Sequence, residues 1–437
     1  MPSLTTVRGE GKSQRVDTPA PILSGFRILE RMRPSLPAVE NIESEIQASL
    51  AALQLPAARL EGRRIAVTAG SRGIASLREV VRAACAWLKA QGARPFVFPA
   101  MGSHAGATAE GQREYLAGYG VTPEFIGAEV LSSMETVSLG RTAEGMEVFT
   151  DRMAWEADGI VVLNRIKPHT AFSGKIESGL MKMIAVGMGK IQGAEEIHRA
   201  SRRIGFEAAI RAAAGRVLAS GKILCGLGLI ENEMHQLAAI RPARPEEIPA
   251  VEEQALDLAR RTVARLPFPQ LDLLIVDEMG KNISGSGMDT KVIGRGIENG
   301  AAHAPAIRLI YVRDLTEASG GNALGVGMAD LIHERLFRKV NLERTYINVR
   351  TSLNAPMARL PMYFSTDRAA LNFAWAALGR PAPEGQQMAW IHNTLAVNRF
   401  AISEGLRAQA ERLEGWRVSA ETFEPHFDAA GNLLPVP

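Results

Sequence analysis

The strongest constraint on the fold is a regular alternation of strand-like apolar runs and segments of helical periodicity, which begins near residue 63. The alternating segments lie at 64–69, 76–91, 95–99, 108–119, 159–163, 202–219 and 222–230. Alternation of this kind is typical of parallel strands covered by helices. The predicted fold class is therefore α/β with mainly parallel sheets.

A proline-rich, charged stretch at 241–270, with one helical pattern inside it, divides the chain. A buried-strand run at 271–277 and a strand at 307–312 then begin a second α/β unit. A chain of 437 residues exceeds what one hydrophobic core usually supports, so we expect two domains. Their predicted bounds are 1–245 and 246–437. Because α/β folds bind ligands at the carboxyl ends of strands, the predicted site lies in the cleft between the domains.

Composition favours a small-molecule enzyme over other classes of protein. Apolar residues make up 46% and charged residues 22% of the chain, as in ordinary globular proteins. The net charge of +3 comes from cations scattered among acids, so no nucleic-acid partner is expected. Neither a signal peptide nor a membrane span is visible, and no membrane association is expected. Cys85 and Cys225 lie in apolar runs and are interpreted as reduced core residues, which fits a cytoplasmic protein.

The turn after the first strand-like run, at 70–73, permits two interpretations. It is similar to the phosphate-binding loop of NAD(P)-dependent oxidoreductases, and that function stays an alternative. However, Ala69 and Ala75 replace two of the expected glycines, and the chain contains no Tyr-x-x-x-Lys pair. The turn instead presents Arg72 at a predicted helix N-terminus, which suits a carboxylate or phosphate. A solvated turn residue is the simpler interpretation of Arg72.

The densest group of titratable residues lies in a glycine-rich segment at 163–198, directly after a buried-strand run. The histidines and lysines of this group are His169, Lys175, Lys182, Lys190 and His198. Glycines let the backbone approach a bound group closely, so the segment is interpreted as a binding site. A surface loop with solvated lysines is the alternative.

A further histidine, His104, follows the strand-like run at 95–99. Histidines at the ends of neighbouring strands can face one substrate carbon from opposite sides. One imidazole then serves as base and the other as acid near neutral pH. His104 and His169 are the predicted acid/base pair.

Together these residues resemble the nickel-pincer lactate racemases and the related 2-hydroxyacid racemases and epimerases. The resemblance rests on the segments GSRG, GSHAG and KPHTAFSG, and on Lys182 followed sixteen residues later by His198. It implies that Lys182 holds the nickel-pincer nucleotide, a pyridinium-thioamide-thiocarboxylate mononucleotide, through a thioamide bond. It also implies that His198 completes the coordination of nickel, which accepts imidazole ligands. The segment from His169 to Lys182 is longer than expected of lactate racemases, so Lys175 is an alternative anchor.

The resemblance implies a racemase or epimerase that inverts the α-carbon of a 2-hydroxy acid. In such enzymes the α-hydride moves to the pincer and returns to the other face, while the two histidines exchange protons with the substrate. Arg72 would bind the substrate carboxylate, and a lysine of the second domain would contact the substrate. Lys281, just after a strand end, is favoured over Lys291. Proteins that synthesise the cofactor are the implied partners. A non-catalytic binder of hydroxy acids or cofactor is a further alternative.

Overall fold

A computed structural model describes residues 23, 25–71, 73–170, 172–296, 304–352, 354–380, 382 and 385–437. Its strands are β1 (Phe26–Arg31), β2 (Arg64–Ala69), β3 (Arg94–Pro99), β4 (Glu129–Val130), β5 (Thr136–Arg141), β6 (Glu147–Asp151), β7 (Gly159–Arg165), β8 (Ile223–Glu231), β9 (Leu237–Ala243), β10 (Gln270–Met279), β11 (Ala306–Leu315), β12 (Leu331–His333), β13 (Met362–Phe364), β14 (Met388–Ile391), β15 (Arg399–Ser403) and β16 (Trp416–Val418).

Its α-helices are α1 (Ile42–Ala52), α2 (Leu77–Ala90), α3 (Ala109–Gly118), α4 (Pro123–Ile126), α5 (Arg152–Glu156), α6 (Leu180–Lys182), α7 (Lys190–Ile204), α8 (Phe206–Leu218), α9 (Ile248–Thr262), α10 (Thr290–Ile293), α11 (Glu334–Lys339), α12 (Leu342–Ser352), α13 (Asp367–Ala377) and α14 (Glu404–Ala410). Short 3-10 turns connect several of them.

The first sheet has the strand order β4-β3-β2-β7-β8-β9, and all of its neighbours pair in parallel except β8 and β9. Its central strands are buried on both faces, which explains their continuous apolar runs. Cys85 and Cys225 are buried in the core of this domain, as the sequence predicts. The predicted α/β class with mainly parallel strands is confirmed.

The second sheet has the order β13-β12-β11-β10-β14-β15-β1-β16. From β13 to β14 the neighbours pair in parallel, whereas β15, β1 and β16 are joined by antiparallel pairing. A separate two-stranded antiparallel sheet contains β5 and β6. Among the described residues, no helix is long and apolar enough to cross a membrane.

The predicted division into residues 1–245 and 246–437 differs from the sheets at two places. Strand β1 belongs to the second sheet, where it pairs with β15 and β16, because its buried Phe26 and Leu29 complete the core there. Helix α9 packs on β8 of the first sheet and buries Leu256. The partners of β1 lie far away along the chain, so its local pattern does not reveal them.

The two units touch at the carboxyl ends of their parallel strands. After β7, the carbonyl oxygen of Thr170 accepts a hydrogen bond of 3.0 Å from Oγ1 of Thr290, the first residue of α10, which follows β10. A second contact joins His235 Nε2 to the carbonyl oxygen of Leu395, at 2.7 Å. The loops that follow β7 and β10 therefore face each other across the domain boundary.

Candidate active site

The loops after β2, β3 and β7 carry the first polar groups of the site. These three strands are parallel neighbours in the sheet, so their carboxyl ends lie at one edge. Ser71 follows β2 and His104 follows β3, and Ser71 Oγ lies 2.5 Å from His104 Nδ1. His169 follows β7 in the same way.

His169 and Lys182 are in direct contact. The Nε2 atom of His169 lies 2.5 Å from Nζ of Lys182. Lys182 is the last residue of α6, and the chain continues into a π-helical turn at Met183–Gly187. Such turns are rare and are found frequently at functional sites. Two of the residues predicted from the sequence are therefore brought together, although thirteen positions separate them.

A buried carboxylate fixes the loop that carries His169. Glu177 is almost completely buried and accepts a hydrogen bond of 2.5 Å from the backbone nitrogen of His169. Arg260, on α9, forms an ion pair with Glu177 at 2.8 Å and also donates to the carbonyl oxygen of Gly174. Glu177 is buried and Arg260 is partly exposed, and their charge-assisted hydrogen bonds tie α9 to the loop that carries His169.

A second buried carboxylate holds the helical turn before Lys182. Glu252 Oε2 accepts a hydrogen bond of 2.7 Å from the backbone nitrogen of Met181. Burial raises the pKa of Glu252 to about 7, and its Oε1 atom has no hydrogen-bond partner within the described part of the chain. On the other side of the turn, Asn164 Nδ2 donates to the carbonyl oxygen of Gly179 at 2.7 Å. Lys182 is thus supported from both β7 and α9.

A row of rings connects His169 to His198. The imidazole of His169 lies 4.6 Å from the ring of Phe172, which stacks on Phe206 at 5.2 Å. The rings of His198 and Phe206 form a T-shaped contact at 5.4 Å between ring centres. These contacts place both predicted histidines of the segment around one apolar wall.

The surroundings of His198 favour its neutral form. The residue reaches solvent on α7, yet desolvation by the surrounding protein lowers the pKa of its imidazole. The positive charges of Lys182 and Arg202 lower this pKa further. Neutral imidazole is the form that coordinates a metal ion.

The second domain contributes a lysine to this region. The ammonium group of Lys291 donates a hydrogen bond of 2.9 Å to Ser173 Oγ, on the loop that carries His169. The ammonium group of Lys281, by contrast, donates to the carbonyl oxygen of Gly285 within its own loop, at 2.6 Å. The structure therefore brings Lys291 to the His169 loop, although the sequence favoured Lys281.

Two further candidates from the sequence have different outcomes. Arg72 lies outside the described residues. Lys175 is exposed, and its backbone nitrogen donates to Glu207 Oε2 at 3.0 Å. Among the candidate anchors, the contact with His169 is made by Lys182.

Sequence reasoning missed the residues that hold the predicted ones in place. Ser71 stands inside the GSRG turn, so a polar group at this strand end was visible in the sequence. Glu177 and Glu252 gave no such signal, because their roles depend on contacts with α9 and α6 that no local pattern encodes.

The donor set limits how a metal ion can be held. Within the described ranges, no cluster of three or more His, Cys, Asp or Glu side chains is arranged to hold a metal ion. A lysine amine and two imidazoles can still form a covalent bond, coordinate a metal and transfer protons.

Comparisons with known proteins place the chain in one family and one fold. Residues 67–294 match the family described as "Domain of unknown function (DUF362)". The structure is similar to the lactate racemase apoprotein from Thermoanaerobacterium thermosaccharolyticum, with a TM-score of 0.51 and 13% sequence identity. This similarity covers 86% of this chain and 99% of that one. No curated protein matches the sequence.

Proposed function

From the premise that this chain belongs to the DUF362 family, we propose that it is a racemase or epimerase that inverts the α-carbon of a 2-hydroxy acid with a nickel-pincer nucleotide. The proposal depends chiefly on one observation, the contact of 2.5 Å between Lys182 Nζ and His169 Nε2. This contact joins the predicted cofactor anchor to a predicted acid/base group. The fold shared with a lactate racemase apoprotein supports the same interpretation.

The residues present fit the proposed cofactor. Lys182 has a primary amine that can be joined to the nucleotide, and His198 offers an imidazole whose pKa is lowered toward the metal-binding form. When bound, the nickel-pincer nucleotide would supply an acceptor that takes up and returns the substrate α-hydride.

The protein side chains would handle the protons and the carboxylate. His169 and His104 would each exchange a proton with the substrate hydroxyl oxygen, one for each hand of the substrate. The hydrogen bond between Ser71 Oγ and His104 Nδ1 orients the ring of His104, and the bond from the backbone nitrogen of His169 to Glu177 holds the loop of His169. Oriented groups of this kind are what acid/base catalysis requires.

The carboxylate of the substrate needs a cation at the domain boundary. Lys291 is the better placed of the two lysines, because its bond with Ser173 holds it on the loop of His169. When substrate binds, the ammonium group of Lys291 would exchange its neutral hydroxyl partner, Ser173, for the substrate carboxylate. A hydrogen bond between two charged groups is stronger than one to a neutral hydroxyl. Arg72 stays a predicted second ligand of the carboxylate.

The proposal is tested with protein co-expressed with the proteins that synthesise the cofactor. Intact-mass spectra should show a covalent adduct, metal analysis should show nickel, and a panel of chiral 2-hydroxy acids should include one whose optical rotation decays. An adduct without loss of rotation on any acid would indicate a carrier. Absence of both adduct and nickel, with binding of free NAD(P), would support the oxidoreductase alternative instead.

A further inference from the structure

Lys190, the first residue of α7, has an unusual environment and backbone. Its side chain is fully buried, and its backbone φ of +54° lies in the left-handed region. Burial of an ammonium group and a left-handed conformation in a non-glycine residue both cost free energy. Such features persist where surrounding contacts hold them, and they are frequent near functional sites. No step of the proposed function uses Lys190.

Three oxygens hold the ammonium group of Lys190. It donates to the carbonyl oxygen of Pro99 at 2.6 Å and to Gln112 Oε1 at 3.2 Å. It also forms an ion pair at 3.2 Å with Asp151, which is equally buried. Pro99 ends β3, Asp151 ends β6 and Gln112 lies on α3, so one lysine joins three elements to the start of α7.

Gln112 connects the ammonium group of Lys190 to the loop of His104. Its side-chain Nε2 donates to the carbonyl oxygen of Gly102 at 2.9 Å and to that of His104 at 3.3 Å. The loop therefore receives support from Lys190 at two places, directly at its start through Pro99 and further along through Gln112. The backbone nitrogen of Gly102 adds a bond to the carbonyl oxygen of Gly187 at 3.1 Å.

The position of Lys190 along the chain relates these contacts to the predicted cofactor residues. It lies eight residues after Lys182 and eight residues before His198. We infer that Lys190 is a positioning residue that sets the distance of His104 from Lys182 and His198. The inference rests on the proposed function, since the distance matters only if these groups act on one substrate.

Two variants remove the connection by different routes. Gln112→Met removes both donors to the His104 loop while the ion pair of Lys190 with Asp151 remains. Lys190→Met combined with Asp151→Leu removes the ion pair as a unit, because removal of one member alone leaves an unpaired buried charge. Tyr311→Phe is the matched control. It removes a buried hydrogen bond of 2.5 Å to Asp367 in the second domain.

Each loaded variant is compared with the wild type for adduct mass, nickel content, KM and kcat. We expect Gln112→Met and the double variant to keep adduct and nickel and to change KM by less than about twofold. Their kcat should fall by about ten- to a hundredfold, as small misplacements of catalytic groups do. Tyr311→Phe should keep kcat. An unchanged kcat in a folded Gln112→Met protein, or loss of adduct in parallel with kcat, would overturn the inference.

A measurement on the protein without cofactor separates this inference from the proposed function. The ring signals of His104, followed by NMR, should shift in Gln112→Met and in the double variant and stay in place in Tyr311→Phe. If the wild type forms no adduct and racemises nothing, the proposed function fails. In that case the NMR signals of the His104 ring still test the positioning role of Lys190. Unshifted signals in the variants would show that Lys190 does not position His104.

Discussion

Lys291 of the second domain donates a hydrogen bond of 2.9 Å to Ser173, four residues beyond His169. This bond places a cation from one domain on the loop that carries a predicted acid/base histidine of the other. The adjacent bond from Thr290 to Thr170 fixes the same boundary. A substrate bound at His169 would therefore contact both domains.

Lys291→Met should lower kcat/KM for the 2-hydroxy acid substrate by about ten- to a hundredfold, the effect of losing one charge-assisted hydrogen bond. Lys281→Met should have a smaller effect, because that ammonium group is bound to Gly285 within its own loop. Steady-state kinetics on both variants with normal cofactor loading would test this. A larger loss in Lys281→Met would return the substrate contact to the residue favoured by the sequence.

Lys182→Ala should abolish the covalent adduct, whereas His198→Ala should keep the adduct and lose nickel. The reason is that Lys182 would form a covalent bond and His198 a coordinate bond. Intact-mass spectra and metal analysis measure the two properties separately. Lys175→Ala is the matched control and should retain both. If the adduct survives in Lys182→Ala and disappears in Lys175→Ala, the anchor is Lys175.

The charge of Lys182 also acts on His198, and this effect can be measured without cofactor. Desolvation and the charges of Lys182 and Arg202 lower the pKa of His198 in the folded protein. Lys182→Met removes one of the two charges, so the pKa of His198 should rise toward its usual value. Desolvation persists, so the rise should be incomplete. An NMR titration of the His198 ring would contradict the expectation if the pKa stayed unchanged or fell.

The central strands, and the positions of His104 and His169 after strand ends, could be predicted from sequence because the relevant signals are local. The apolar runs of β2, β3 and β7 are continuous, and parallel strands end at one edge of their sheet. That rule is sufficient to predict that His104 and His169 lie at one edge of the sheet. The strands that precede them, β3 and β7, are not direct neighbours as the sequence suggested, because β2 lies between them. The fold class was accessible for the same reason.

The supporting contacts could not be predicted, because they join residues that are distant in sequence. Arg260 and Glu177 are 83 positions apart, and their pairing depends on how α9 packs on the first sheet. The contact of Lys291 with Ser173 joins residues that are 118 positions apart, on loops that follow strands of different sheets. Tertiary packing determines both contacts, and neither residue pair has a local sequence pattern that predicts it.

Glu252 should make stability depend on pH in a way that Glu252→Gln removes. Burial raises the pKa of Glu252 from 4.5 to about 7, so between these values the folded state binds its proton more tightly than the unfolded state. The stabilisation from that proton is present below pH 4.5 and is lost as pH rises through about 7. Between the two pKa values, the free energy of unfolding should fall by roughly 1.4 kcal/mol per pH unit. Urea unfolding at pH 5 and pH 8 measures this loss. The free energy of unfolding should decrease less between these pH values in Glu252→Gln than in the wild type. Equal decreases in both proteins would contradict the assignment.

Ser71→Ala should lower kcat without changing cofactor content. The hydroxyl of Ser71 lies 2.5 Å from His104 Nδ1 and orients the ring, so its loss should cost less than the loss of the imidazole itself. His104→Ala and His169→Ala should each lower kcat by about 10² to 10⁴-fold, the usual contribution of acid/base catalysis. Cofactor mass and nickel should be normal in Ser71→Ala and His104→Ala. If Ser71→Ala lowers kcat as much as His104→Ala, the hydroxyl acts on the substrate directly. If kcat is unchanged in both, His104 is not part of the acid/base pair, and the second proton must come from another group at the edge formed by β2, β3 and β7.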